Sequence, residues 1–287
     1  MSAARVSDAD RAALASSLDR ATVGRAQSAD ERFRARDGDD DTGGAFMRML
    51  AAEAAERLEG EPADMILDWA AKVIPRFVIT SSFGSDSAVL LHLASKVCPD
   101  VPVLFLDTGF HFAETITFRQ RLATELGLTV IDLEPELTVA EQAATLGPEL
   151  YRTDPDSCCG LRKTKPLRQA LADYDGWATG VRRVQTPERA ATPVIEGRAH
   201  AGRYLVKVAP LAAWTDARIE AYLDEYDLPR HPLVAEGYPS IGCAPCTSRV
   251  APGEDPRSGR WAEAGKTECG IHLSEDGEVI RTTTTPG

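Results

Sequence analysis

The sequence has no apolar run approaching the roughly 18 residues that a membrane-spanning helix needs, so no transmembrane helix is expected. It has no signal-peptide core near its beginning, and Asp8, Asp10 and Asp19 there argue against an organellar transit peptide. Basic residues are the minority: 32 Lys and Arg stand against 44 Asp and Glu, a net charge of −12 that leaves no general footprint for nucleic acid. An anionic substrate would therefore need a local cluster of Arg and Lys to overcome a repulsive overall field. Cysteines are few, six in 287 residues. The expected compartment is the cytoplasm, where thiols stay reduced, so metal binding or catalysis is a better use for them than disulfide staples. What remains is an ordinary globular balance, 43% hydrophobic and 26% charged, enough for a sizeable core in one or two domains.

Four of the cysteines fall in two close pairs. One is Ser157-Cys158-Cys159-Gly160-Leu161-Arg162-Lys163; the other is Gly242-Cys243-Ala244-Pro245-Cys246-Thr247. A single zinc wants four ligands converging on one point, and adjacent side chains diverge, so two neighbouring thiolates reach one ion only with strain. An iron–sulfur cubane offers a separate iron to each thiolate. An iron–sulfur cluster is preferred, with zinc second and unligated cysteines third.

Along the chain, residues 1–44 are rich in Ala, Arg and Asp and read as a flexible N-terminal extension. Helices are expected at 46–58, stopped by Gly60, and at about 62–72. A strand at 77–80 runs into Ser81-Ser82-Phe83-Gly84-Ser85-Asp86-Ser87 and a helix from Ala88. A second strand, 103–106, ends in Asp107-Thr108-Gly109. A helix at 113–126 and a strand at 128–133 follow. This alternation predicts a doubly wound parallel α/β sheet, whose ligand site lies beyond the carboxyl ends of the strands. Both polar loops fall there, and the first can hold an anion on backbone N–H groups, although a turn with an N-cap serine reads the same way. Asp107-Thr108-Gly109 can likewise be a plain turn.

The tandem cysteines are expected to open a helix with Pro166 in its first turns. A strand at 177–181 feeds the basic loop 182–189. Strands at 192–195 and 204–208 and a helix at 215–226 come next. From Gly237 the chain is rich in Gly and Pro and carries Arg257-Ser258-Gly259-Arg260-Trp261; the last 14 residues read as disordered. Cys98, beside Pro99, reads as a packing residue. Cys269, in Thr267-Glu268-Cys269-Gly270-Ile271-His272, has no second cysteine nearby; Lys266 and His272 could lower its pKa and supply a nucleophilic thiolate.

Taken together, residues 77–272 resemble the assimilatory adenylyl-sulfate (APS) reductases, within the phosphoadenylyl-sulfate reductase family. The resemblance rests on Cys158-Cys159 with Arg162-Lys163, on the run from Gly237 to Thr247, and on Glu268-Cys269-Gly270-Ile271-His272. Leu106 to Gly109, Thr179 to Arg183 and the loop from Ser82 to Ser87 match as well. That loop carries Phe83 where ATP-cleaving relatives carry glycine.

The resemblance implies an adenine-nucleotide alpha-hydrolase-like fold with a mobile C-terminal segment. It divides the chain into the extension 1–44, a nucleotide- and cluster-binding domain 45–250, and a segment 251–287 bearing the catalytic cysteine. It implies a [4Fe-4S] cluster on Cys158, Cys159, Cys243 and Cys246, and adenosine 5′-phosphosulfate as substrate. Cys269 would be the nucleophile, Lys163 a catalytic cation and His272 a supporting group. Substrate would be bound by Ser82, Gly84, Ser85, Asp86, Ser87, Asp107, Thr108, Gly109, Gly180, Arg189, Arg257 and Arg260. Thioredoxin or glutaredoxin would be the electron donor, without nucleic acid or membrane; a homo-oligomer is compatible with the sequence. Three alternatives stay open: a phosphoadenylyl-sulfate (PAPS) or dual-specificity reductase, an ATP-dependent adenylyl- or thiol-transferring relative, and a non-catalytic nucleotide-binding module with a zinc site.

Overall fold

The apolar run after Arg76 becomes the inner strand of a six-stranded sheet. The computed structural model describes residues 42–200, 202–262, 264, 266 and 268. Cys269, His272, the final 14 residues and almost all of the N-terminal extension lie outside the described residues. Strands β1 (Phe77–Ser81), β2 (Val103–Leu106), β3 (Val130–Leu133), β4 (Gly176–Thr179), β5 (Ile195–His200) and β6 (Arg203–Val208) are ordered β3-β2-β1-β4-β6-β5. All neighbours pair in parallel except β5, which returns antiparallel along β6 at the edge. The sequence is β-strand, helix, β-strand over the first half because each parallel return needs a crossover. Helices α1 (Thr42–Leu58), α2 (Ala63–Val73), α3 (Ser87–Val97) and α4 (Ala113–Glu125) lie in that half.

The strands are apolar on both faces, as sheets covered by helices must be: Val78, Ile79, Leu104 and Phe105 are fully or almost fully buried. Val78, Leu104, Trp177 and Leu205 pack with Leu167 and Leu171 into one layer of this core. At the strands' N-terminal side, buried Asp175 accepts both prongs of Arg76, at 2.9 and 2.8 Å, and pairs with Arg203 as well, tying β1, β4 and β6 together.

Three expectations need correction. The first helix begins at Thr42, so it takes in the end of the stretch read as an extension; Gly43 and Gly44 fall in its first turn, where N–H groups have no intrahelical partner to lose. Its buried stripe is Met47, Ala51, Ala54 and Leu58, whereas Phe46 and Met49 face solvent. The strand expected at 192–195 is instead β5, beginning at Ile195 and continuing through Glu196, Gly197 and Arg198. Pro193 has no N–H for a ladder, and an edge strand tolerates polar residues that an inner strand does not.

The tandem cysteines do not open a helix either. A helical run from α7 (Pro155–Cys159) passes through a π-helical turn (Gly160–Thr164) into α8 (Lys165–Leu171), with α5 (Val139–Leu146) and α6 (Leu150–Thr153) before it. The cysteines close α7. Lys165 N–H reaches back to Gly160 C=O, the wide hydrogen bond of a π-turn, just before Pro166, whose ring and missing N–H disfavour an unbroken α-helix. After β6 come α9 (Asp216–Glu225), α10 (Pro232–Ala235) and a 3-10 turn (Ala244–Cys246).

Candidate active site

The carboxyl ends of β1, β2 and β4 open onto a cavity of about 260 Å3. Strand ends supply Thr80, Ser81, Leu106 and Thr179. The loop after β1 supplies Ser82, Gly84, Ser85 and Asp86, and α3 begins with Ser87 on the same wall. Phe83 is the residue that makes this loop. It sits at φ 49°, is fully buried, and meets Phe105 edge-on with ring centroids 5.5 Å apart. Its ring anchors a left-handed turn in the core, and the flanking serines are thereby turned to the cavity. Asp86 is held by the buried Arg182 at 2.6 Å, and Arg182 also pairs with Asp216 at 2.8 Å.

Four cations also line the cavity. Lys163 comes from the π-turn, Arg189 from a 3-10 turn (Pro187–Arg189) after β4, and Arg257 and Arg260 from the Gly- and Pro-rich chain. Arg257 and Arg260 each place Nη1 3.5 Å from Ser240 Oγ. Trp261 lies among three cations: Arg260, Lys163 and Lys266 stand 4.5, 5.9 and 5.6 Å from its ring. Its φ of 48° swings the indole back beneath them. Among the described residues, His111 Nδ1, Arg260 Nε and Trp261 Nε1 are buried without a hydrogen-bond partner on residues that line this cavity. His111 Nε2 lies 2.8 Å from Leu106 C=O and 3.3 Å from Thr108 N–H, so the ring is fixed by the backbone around the turn and Nδ1 is left for a ligand. Unsatisfied buried polar atoms and a concentration of cations are what an anionic, hydrogen-bonding ligand would complete.

Asp107 and Gly109 are not brought to this wall. Asp107 Oδ1 accepts Gly109 N–H at 2.9 Å, which makes the stretch a tight turn. Gly109 has φ +69°, and a Cβ there would stand 2.9 Å from Val139 and 3.1 Å from Arg162. Thr108, between them, does line the cavity, as does Gly180.

Behind Lys163 lies a second, smaller cavity. Cys158, Cys159, Cys243 and Cys246 surround it with Phe110, Tyr151, Pro155, Arg162 and Lys163. The loop bearing Cys243 is seated by Ala244 N–H on Phe110 C=O at 2.7 Å, and Trp261 N–H bonds Cys246 C=O at 3.1 Å. Thr108 Oγ1 is 3.3 Å from Cys243 Sγ, and the Gln142 side chain counters part of the burial that raises the Cys158 pKa. Arg162, itself buried, is fixed by Thr108 C=O, Leu137 C=O and Gln142 Oε1. Burial and then the neighbouring thiols push Cys158 up to about 11 and Cys246 up to about 12. Four crowded thiols, with Cys158 and Cys246 held well above the ordinary thiol value, are a set that a cationic metal centre would relieve.

Among the described residues, no group of three or more His, Cys, Asp or Glu side chains is placed to hold one metal ion. The donor set nevertheless fits an iron–sulfur group: four sulfurs around one cavity, no carboxylate in its wall, and hydrogen-bond donors behind the sulfurs. Lys163 and Cys243 line both cavities. Cys98 is elsewhere, buried at the end of α3 and pushed up to about 11 by that burial.

Sequence reasoning missed His111, Gln142 and Trp261. His111 and Trp261 stood beside residues it had singled out, but a histidine or tryptophan next to a motif does not announce which way it turns. Gln142 sits on α5, whose capping box, Thr138 with Glu141, was the available signal.

Residues 76–249 match the phosphoadenosine phosphosulfate reductase domain. A protein of Rhodococcus opacus named adenosine 5′-phosphosulfate reductase is 48% identical over 239 residues, covering 79% of this chain and 95% of that one. The protein of the same name from Mycolicibacterium smegmatis is 49% identical over 228 residues, with 79% and 95% covered. Among solved structures, the phosphoadenylyl-sulfate reductase of Candida auris, a phosphate complex, superposes with a TM-score of 0.61 at 29% identity, covering 70% of this chain and 96% of that one.

Proposed function

The chain belongs to the phosphoadenosine phosphosulfate reductase family, and from that premise we propose that it reduces adenosine 5′-phosphosulfate to sulfite and AMP in assimilatory sulfate reduction. The observation that carries this reading is the shared wall. A cavity lined by serines and by Lys163, Arg189, Arg257 and Arg260 abuts a four-cysteine nest through Lys163 and Cys243.

The serine loop and strand ends would take the nucleotide, and the cations its phosphosulfate. Cys269 thiolate would attack the sulfur. A Cys269 S–S bond to the sulfonate forms, the bond from sulfur to the bridging oxygen breaks, and AMP leaves with that electron pair. Charge gathers on the departing phosphate, where the fixed cations oppose it in a half-enclosed site. A thiolate of thioredoxin or glutaredoxin then attacks Cys269 Sγ and expels sulfite. The donor's second thiol closes its disulfide, so the two electrons come from the dithiol. His272 is assigned a supporting role beside the nucleophile.

Cys158, Cys159, Cys243 and Cys246 would hold a [4Fe-4S] cluster. When bound, that group supplies fixed charge and sulfur acceptors beside Lys163, and the two-electron balance above needs no redox step from it. Residues 251–287 are read as the segment that presents Cys269. Reduced thiols and a dithiol donor are what a cytoplasmic setting would supply, which supports that location for the reaction.

The test is single-turnover incubation of the anaerobically purified protein with adenosine 5′-phosphosulfate, followed by intact mass. One added SO3 group on Cys269, removed by reduced thioredoxin with release of sulfite, is the expected result. Nucleotide bound without an adduct would overturn it. Parallel incubation with the 3′-phosphorylated nucleotide decides between single and dual specificity.

A further inference from the structure

Glu268, the residue directly before Cys269, is buried, and its carboxylate is gripped by the cationic wall. Arg189 reaches it with two prongs, Nε to Oε1 and Nη2 to Oε2, both at 2.7 Å. Thr186 Oγ1 donates to Oε1 at 3.1 Å, and Arg257 Nη2 stands 3.7 Å from Oε2. Both arginines line the large cavity, but Glu268 does not. The carboxylate therefore holds the guanidinium groups from outside the cavity and leaves the interior to a ligand. Two residues earlier, Lys266 pairs with Asp156 on α7, the helix that ends in Cys158 and Cys159. The chain leading to Cys269 is tied on one side to the cysteine-bearing helix and on the other to the arginines of the rim.

A carboxylate in this place has an electrostatic cost. It offsets part of the positive charge that an anionic substrate would use, in a chain whose net charge is already −12. A two-pronged arginine–carboxylate bond between side chains only 13% and 8% exposed gives geometric specificity in return. The geometry points to Glu268 as a positioning residue: through Arg189, Thr186 and Arg257 it anchors the position next to Cys269 on the cavity's rim, and it holds the two guanidinium groups in place for the substrate's anion. This rests on the reading of Cys269 as nucleophile. Glu268 itself forms and breaks no bond. Its contribution falls on sulfur transfer and not on nucleotide binding, because displacing a reacting group by about 1 Å can cost on the order of 100-fold in rate.

The experiment compares wild type with Glu268→Gln, Glu268→Asp and Thr186→Val. It measures the rate constant of Cys269 adduct formation in single turnover, the AMP dissociation constant and iron content. For Glu268→Gln the adduct rate constant should fall about 30-fold or more while AMP affinity stays within about threefold and iron is retained. Glu268→Asp, with the charge kept, should recover part of the rate, and Thr186→Val should lose about threefold. The proposal is overturned if Glu268→Gln forms adduct within about twofold of wild type, or if its whole loss lies in AMP affinity. Should Glu268→Gln fail to fold or to keep iron, Thr186→Val decides, and an unchanged rate there overturns the proposal. A wild type that forms no adduct would instead sink the reductase reading, and the positioning role with it.

Discussion

Thr108 Oγ1 lies 3.3 Å from Cys243 Sγ, and both residues stand on the wall of the polar cavity. One hydroxyl thus touches the proposed cofactor ligand set from the substrate's side. Thr108 leaves the tight turn after β2, and its carbonyl accepts from Arg162, so it is fixed at both ends.

Thr108→Val removes the hydroxyl at nearly constant shape. The contact with Cys243 Sγ, worth about 1 kcal/mol, goes together with the support the hydroxyl gives Phe110 N–H at 3.3 Å, so turnover should fall at least about fivefold while iron content and fold are kept. The discriminating signal is spectroscopic. AMP should perturb the visible absorption of the proposed iron–sulfur centre in wild type, and the perturbation should shrink in Thr108→Val. An equal response in both proteins would show that the hydroxyl carries no coupling.

Cys159→Ser tests the role of the cysteine nest. Removing one of four ligands should lower iron content and, with it, turnover by at least about 100-fold, because Lys163 loses the neighbours that place it between the two cavities. A Cys159→Ser protein without iron that kept full turnover would show that the nest has no part in the reaction.

Much of the parallel half of the fold was legible because local signals and tertiary demands agree there. Residues 77–80 and 103–106 are apolar on both faces, and the polar loops after them fall at strand ends. The tandem cysteines with Lys163 were legible because adjacent cysteines are rare and their chemistry narrow. The strand at 195–200 was not, since its polar residues are tolerated only because it is an edge. The π-turn was not, because α7 and α8 are short and their continuity depends on packing around the cysteines. The pairing of Arg189 with Glu268 joins residues 79 apart, and no local pattern encodes such a contact.

Gly242 offers a test of Arg260 that leaves Arg260 in place. A Cβ on Gly242 would overlap the Arg260 guanidinium, whose Cζ is 2.6 Å from that position, and the three nearest atoms all belong to that group. The obstacle is the end of a flexible side chain, so Gly242→Ala should fold and keep its iron while pushing Arg260 off the wall. Losing one arginine contact to an anion should weaken AMP binding about tenfold. Calorimetric titration with AMP checks this, and an unchanged affinity would remove Arg260 from the substrate site.

Acid should destabilise the fold before any carboxylate titrates, and His231 is the clearest source. It is buried beside Phe118, accepts Leu233 N–H on Nδ1 at 3.3 Å and donates from Nε2 to Thr115 Oγ1 at 3.0 Å, a pattern only the neutral ring can make. Burial lowers its pKa from 6.5 to about 4, against a weaker pull from Glu114. The unfolded chain therefore binds a proton that the folded chain refuses. The stabilisation is complete above pH 6.5 and drains away as pH falls toward about 4. His92, His111 and His200 are lowered by burial as well and add to the same slope. Between about pH 7.5 and 5.5, His231 alone should account for a loss on the order of 1 kcal/mol. In His231→Asn the cap to Leu233 can persist but the titration is gone. That variant should be less stable at pH 7.5, through the lost ring packing, yet show a shallower decline with acid. Urea midpoints at the two pH values measure this, and parallel declines in both proteins would assign the acid sensitivity to other groups.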